Sequence, residues 1–336
     1  MRITTPKTYN WLHTSKDTTR PAKSVPNGQF LFSEGLTRLT DSTEIARAAL
    51  ANMGFDTARL DNVDPIREKH GNRLFRIILQ GSSYILKVFG EPEASREICA
   101  YSLLEDIGVP TLHVIARTND ALLLEDLEVS DHLRLAHEED IGKPEVGVAV
   151  AEWYRTLHNA GSPDRLAVDP RSSFLRREID ALTHASIMDV AARVRGSDKK
   201  KWSILAGNID RVRNAVMSSA ETLTFNDFHW TNLALSLNGG RIRAVVFDYH
   251  LLGLGMRYSD CRNVKRSLGP DAVNAFRSTY GKTDPREEIL DELVAPLCAL
   301  VEAFQRPRFP SWAKASLELA ETGEIHSRLD RVFEVM

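Results

Sequence analysis

The stretch Thr224-Phe225-Asn226-Asp227-Phe228-His229-Trp230-Thr231-Asn232, followed by Phe247-Asp248-Tyr249-His250, decides how the rest of the chain is read. The first segment spaces a carboxylate and an amide as D-x-x-x-x-N. The second ends a β-type run, Arg241 to Phe247, on another carboxylate. Phosphoryl transfer uses this set of groups. One carboxylate, Asp227, would take or orient the proton of an acceptor hydroxyl, while an amide oxygen and a second carboxylate, Asn232 and Asp248, would hold the magnesium that neutralises nucleotide phosphates. Magnesium takes hard oxygen ligands and few of them from protein, so one Asn and one Asp suffice.

Upstream, the pattern from Leu60 to Leu124 is one of short strands. Runs at 62–69, 73–79 and 84–89 are separated by the hairpin signals His70-Gly71-Asn72 and Gln80-Gly81-Ser82-Ser83, and after Pro110 two more runs flank Asn119-Asp120. The third run, Tyr84-Ile85-Leu86-Lys87-Val88, carries one lysine among apolar residues, and ten positions later Glu97 lies in a helical segment, 93–104. A strand lysine paired with a helix glutamate aims an ammonium at the α and β phosphates of a nucleotide. Further upstream, Asp41-Ser42-Thr43-Glu44 has capping-box form, and Ile45, Ala49 and Met53 recur at helical spacing before Gly54, which predicts a short helix with a glycine C-cap. Downstream, helical periods run over 146–158, 174–194 and 199–219, a hairpin turns at Asn238-Gly239-Gly240, and the chain from Asp260 on is helical with breaks at Gly269-Pro270, 281–285 and 306–310.

The central stretch resembles the catalytic and metal-binding segments of the aminoglycoside phosphotransferase and choline kinase family, whose pattern is roughly H-G-D-x-H-x-x-N, a strand, I-D-W/F, then G-x-G-x-x-x-x-D. Asp227, His229, Asn232, Asp248 and Asp260, with Gly253 and Gly255, fall on that pattern. Phe225 stands where a His that ties the loop to the metal segment is usual, and Asn226 where Gly is usual. The resemblance spans roughly residues 42–280. It implies an α+β, two-lobed, protein-kinase-like fold, with a small antiparallel-sheet N-lobe at 41–126 and a larger, mainly helical C-lobe at 127–336, preceded by a basic arm at 1–40. It implies ATP or GTP with Mg2+, and a small-molecule hydroxyl acceptor such as an aminoglycoside, a choline-like alcohol, a sugar or an amino acid. Residue by residue, it makes Asp227 the base, Asn232 and Asp248 the metal ligands, and Lys87 with Glu97 the phosphate pair. Gly71 and Asn72 then belong to the loop over the phosphates, and the backbone of Glu125, Asp126 and Leu127 to the hinge that holds the adenine edge. Asp260 would brace the catalytic loop, and His229 and His250 would line the acceptor side or pack the loop.

Composition sets the outer limits. The 336 residues suit two lobes, and 43% hydrophobic with 26% charged residues is ordinary for a globular protein. A net charge of -3 argues against a general nucleic-acid binder, and no apolar run approaches the ~20 residues of a membrane span. Three scattered cysteines form no zinc or disulfide framework, which fits a reducing, cytoplasmic setting. Two other readings use the same residues. Asp227-x-His229 and Asp248-x-His250 could surround a transition metal, a reading that leaves Lys87, Glu97 and Asn232 unexplained. Alternatively, Phe225 and Asn226 could mark a catalytically silent, kinase-like binding protein.

Overall fold

The computed structural model describes residues 30–336 apart from positions 70, 92–94, 162–165, 167–169, 197 and 237–239. Most of the expected basic arm, the residue His70 and the centre of the turn at 238–240 therefore lie outside the described residues.

The first helix, α1 (Phe30–Asn52), begins well before Asp41, so Asp41–Glu44 lies within the helix and is no cap. Its end is as expected. Gly54 takes φ +88° just past the helix, a conformation that suits glycine. Ala46, Ala49 and Leu50 of α1 are buried against Phe75, Ile77 and Leu86 of the sheet that follows.

That sheet comprises β1 (Leu60–Lys69), β2 (Asn72–Leu79), β3 (Ser82–Val88), β4 (Val114–Arg117) and β5 (Ala121–Glu125), in the order β1-β2-β3-β5-β4. Every pairing is antiparallel. Because side chains alternate across a strand, Leu86 enters the core beneath α1 while Lys87 emerges on the opposite face. On that face lies α2 (Arg96–Asp106), inserted between β3 and β4. Its Ile98, Tyr101 and Leu104 belong to a second core that continues past the hinge into the larger lobe.

In the larger lobe, α3 (Pro144–Ala160) buries Val150, Trp153, Tyr154 and Leu157 under the 224–232 segment. A small sheet joins β6 (Leu133–Leu135) to the hairpin formed by β9 and β10 (Leu233–Ser236 and Ala244–Val246). A second one, ordered β7-β11-β8, joins β7 (Arg176–Arg177), β8 (Glu221–Thr224) and β11 (Gly253–Met256). The helix expected over 174–194 is shorter than its period suggested. Arg176 and Arg177 pair with Gly253 and Leu254 instead, and α4 (His184–Arg193) starts only after the Thr183 cap. Backbone pairing with a distant strand has overridden a local helical pattern.

The rest is α5 (Lys199–Met217), α6 (Arg257–Ser267), α7 (Pro270–Tyr280), α8 (Pro285–Gln305), α9 (Lys314–Glu321) and α10 (Glu324–Val335). The three Gly/Pro breaks fall between helices, as expected. Pro296 does not interrupt α8. A third core, of α4, α5, α8, α9 and α10, supports this lobe from below. Among the described residues, no helix is long and apolar enough to cross a membrane.

Candidate active site

Three charged side chains meet between the lobes. Lys87 Nζ, from β3, is 2.5 Å from Glu97 Oε2 on α2 and 2.8 Å from Asp248 Oδ1, which follows β10. Glu97 is almost fully buried. Burial works against the Lys87 ammonium, but the two carboxylates outweigh it and hold the lysine more basic than usual. For Asp248, too, burial opposes ionisation, and Lys87 and His250 overcome it, keeping the carboxyl well below its ordinary range. Asp248 has a left-handed backbone, φ +70°. This conformation costs about 1–3 kcal/mol in a non-glycine residue. It turns the carboxylate out of the strand toward the cleft.

Asp227 lies across a histidine from Asp248. His250 Nδ1 is 3.3 Å from Asp248 Oδ1 and its Nε2 is 3.9 Å from Asp227 Oδ2. Burial lowers the basicity of His250, but its bond to Asp248 and the field of both carboxylates raise it to about 9, so the ring is cationic at neutral pH. Asp227 is pushed up to about 6 by desolvation in the cleft, with His250 opposing and Asp248 adding to the rise. Since 43% of its side chain is open to solvent, the energetic weight of that rise is reduced. Asn232 Nδ2 is directed at the Asp227 carbonyl, 3.5 Å away. The Asn232 carbonyl accepts from Phe247 N–H at 3.0 Å, which ties its backbone to the residue before Asp248. An ionised carboxylate and an amide oxygen form the hard, oxygen-only pair that suits magnesium.

The loop carrying Asp227 is fixed by buried groups. Asp260 Oδ2 accepts from Phe225 N–H at 2.9 Å and Oδ1 from Asn226 N–H at 2.8 Å. Asp260 also contacts His158 Nε2 at 3.1 Å, and His158 Nδ1 meets Tyr280 Oη at 2.6 Å. His158 is thus a satisfied core histidine. Phe225 is fully buried and packs edge-to-face on Trp153 and on Tyr249, the residue after Asp248. An aromatic contact therefore joins the loop to the Asp248 segment. Asn226 has φ +66° and its Nδ2 donates to Leu251 O at 3.2 Å. Asn is among the residues that enter this region most readily, which explains how it replaces glycine here. Gly253 cannot be enlarged, because a Cβ there would lie 2.3 Å from Arg176 O.

Gly71 and Asn72 sit at the tip of the β1–β2 hairpin. Gly71 takes φ +74°, and Asn72 Oδ1 accepts from Gly90 N–H at 3.3 Å. Gly90 has no motif to mark it in the sequence, yet a Cβ on it would come within 2.4 Å of Gly71 O. At the hinge, the buried Asp126 accepts from Ser83 Oγ at 2.6 Å and Arg76 Nε at 2.7 Å, so its side chain pins the hinge to β2 and β3. The Glu125 carboxylate accepts from His113 N–H, and its own N–H is taken by His113 O. Leu127 N–H meets no acceptor among the described residues. The transition-metal reading gains nothing from this geometry. His229 Nδ1 turns back to Thr231, and no three His, Cys, Asp or Glu side chains among the described residues stand close enough to hold a metal.

An antiparallel sheet and a helical lobe, with a lysine bridged to carboxylates from both, define a protein of the kinase-like class. Within that class the chain belongs to the phosphotransferase enzyme family, whose profile matches residues 62–293. Solved structures agree on the fold at low identity. An ethanolamine kinase from Plasmodium vivax is 14% identical with a TM-score of 0.59, over 85% of this chain and 89% of that one. A choline/ethanolamine kinase family protein from Mesorhizobium loti is 18% identical with a TM-score of 0.55, over 85% and 98%. A spectinomycin phosphotransferase in its AMP-bound complex is 12% identical with a TM-score of 0.51, over 85% and 96%. No curated protein matches the sequence. The family to which the chain belongs is thus one of phosphotransferases.

Proposed function

We propose that this protein transfers the γ-phosphoryl group of ATP, or GTP, to a hydroxyl of a small molecule. The observation that carries the reading is the Lys87–Asp248 contact of 2.8 Å between the lobes, with Asp227 presented one imidazole further along the same cleft. Lys87, oriented by Glu97, holds nucleotide phosphates. Asn232 and Asp248 hold magnesium, which when bound offsets the charge on those phosphates. Asp227 accepts or orients the acceptor hydroxyl proton; a carboxyl near 6 is close enough to neutrality to be ionised in most molecules and still basic enough to serve. Gly71 and Asn72 cover the phosphates, and the free Leu127 N–H is the hinge donor to the adenine edge.

The division near residues 126–127 into a nucleotide-binding lobe and a catalytic lobe is part of this reading. The three scattered cysteines, Cys99, Cys261 and Cys298, are the ground for placing the protein in a reducing, cytoplasmic setting. The neighbours named for ethanolamine, choline and spectinomycin suggest amino-alcohols and amino-sugars as the first acceptors to try. The test is nucleotide consumption by the purified protein with magnesium, against a panel of amino-sugar, choline-like, sugar and amino-acid acceptors. Acceptor-dependent turnover with at least one class is expected; nucleotide binding without turnover across the panel would instead favour a catalytically silent binding protein.

A further inference from the structure

Helix α6 turns one polar face to the loop that carries Asp227. Asp260, Asn263 and Ser267 are three and four residues apart, the spacing that places side chains on one side of a helix. Each bonds the main chain of the loop. Asp260 takes the N–H groups of Phe225 and Asn226, and Ser267 Oγ takes Trp230 N–H at 2.8 Å. Asn263 Nδ2 donates to the carbonyl of Asn226 at 2.9 Å. This last bond differs from the others. The carbonyl belongs to the peptide that joins Asn226 to Asp227, and that peptide is planar, so holding its oxygen fixes the plane from which the Asp227 side chain departs.

Asn263 is itself held in place. Its Oδ1 accepts from Arg262 Nη1 at 2.9 Å, and Arg262 is gripped by the buried Asp291 at 2.6 and 3.3 Å. A chain of contacts thus runs from α8 through α6 to the peptide before Asp227. The left-handed Asn226 backbone, φ +66°, gives the bond something to oppose, because such a residue relaxes when its restraints are removed.

We propose that Asn263 is a positioning residue for phosphoryl transfer, orienting Asp227 through the 226–227 peptide. The proposal rests on the reading of Asp227 as the group that receives the acceptor hydroxyl. It makes Asn263 distinct from its helix-face neighbour Ser267, whose single bond to the loop lies beyond the base.

The test compares Asn263→Ala and the isosteric Asn263→Asp with Ser267→Ala. It reads acceptor-dependent kcat, KM for magnesium-ATP, thermal unfolding, and amide hydrogen exchange over 224–232. Misplacing a reacting group by an ångström costs up to about 100-fold, so both Asn263 variants should lower kcat about 10- to 100-fold with KM for magnesium-ATP little changed. Exchange at Asn226, whose N–H is held by Asp260, should quicken in both, and Ser267→Ala should keep most of its kcat. The proposal is overturned if the Asn263 variants keep wild-type kcat, if Ser267→Ala loses as much as they do, or if their losses follow the melting temperature alone. If the wild type transfers phosphoryl to no acceptor, the functional reading fails by itself. Exchange then still decides the positioning role: unchanged protection at Asn226 in both Asn263 variants overturns it.

Discussion

Replacing Asp227 by Asn should move activity and stability in opposite directions. The amide is nearly isosteric with the carboxyl but cannot take a proton from the acceptor hydroxyl, and loss of a general base typically costs roughly 10²- to 10⁴-fold in rate. The stability effect follows from the carboxyl being pushed from 3.8 up to about 6. Between those values the folded protein binds more protons than the unfolded chain. Wild-type stability therefore falls as pH rises from about 4 to about 6 and is flat above that window. Every tenfold change in proton affinity is worth about 1.4 kcal/mol for a sequestered group. With 43% of the Asp227 side chain in solvent, the figure must be discounted for screening, which leaves about 1 kcal/mol. Asp227→Asn should thus be about 1 kcal/mol more stable than wild type at pH 7 and equal to it below about pH 4. In the wild type, kcat/KM for the acceptor should rise with pH through about 6 as Asp227 ionises. Urea unfolding at several pH values and initial rates with a verified acceptor check both halves. A variant that keeps nearly full turnover refutes the role of Asp227, and one that is destabilised at pH 7 refutes the electrostatic account of its environment.

Lys87→Ala should weaken magnesium-ATP binding while the fold persists. Glu97, pushed up to about 7 by burial against the pull of Lys87, can take up a proton rather than remain buried and unpaired; calorimetry showing unchanged magnesium-ATP affinity would remove Lys87 from the site. Asp248→Asn should abolish the magnesium-dependent part of nucleotide binding and release His250 from its carboxylate partner. NMR titration should then find that imidazole well below its wild-type value of about 9, and no change there would contradict the contact. Asp260→Ala leaves the N–H groups of Phe225 and Asn226 without acceptors, and at about 1–3 kcal/mol for each unpaired group the loss should be about 3 kcal/mol. Denaturant unfolding with a loss below about 1 kcal/mol would show that the loop finds other partners.

Much of the candidate site was legible because phosphoryl transfer, the chemistry it was read for, uses particular residue types in a particular order along the chain. Lys87 and Glu97 are ten residues apart on a strand and the helix after it; the local pattern placed each on its element, and the resemblance to kinase-like enzymes paired them. D-x-x-x-x-N likewise brings Asp227 and Asn232 into one loop without any knowledge of the fold. The stripe Asp260, Asn263, Ser267 was present as i, i+3, i+7 spacing on α6. Polar residues at that spacing read equally well as a solvated helix face, and only the packing of α6 under the 224–232 loop shows that they hold its main chain.

Local sequence therefore determined which groups exist and which elements carry them: five antiparallel strands, a lysine facing away from the α1 core, and an acidic residue at the end of β10. It could not determine what backbone pairing at long range decides. Arg176 and Arg177 lie in a helical period yet form a strand, because Gly253, more than seventy residues on, brings its backbone against theirs. The helix start at Phe30 escaped a capping pattern that was real but internal. The meeting of Lys87 with Asp248, 161 residues apart, and the left-handed backbone that turns Asp248 toward it, exist only once the two lobes have packed. Helix and strand periods are set by a residue's nearest neighbours in the chain; the closure that brings Lys87 to Asp248, with Asp227 beyond His250, is set by cores whose members the chain scatters from end to end.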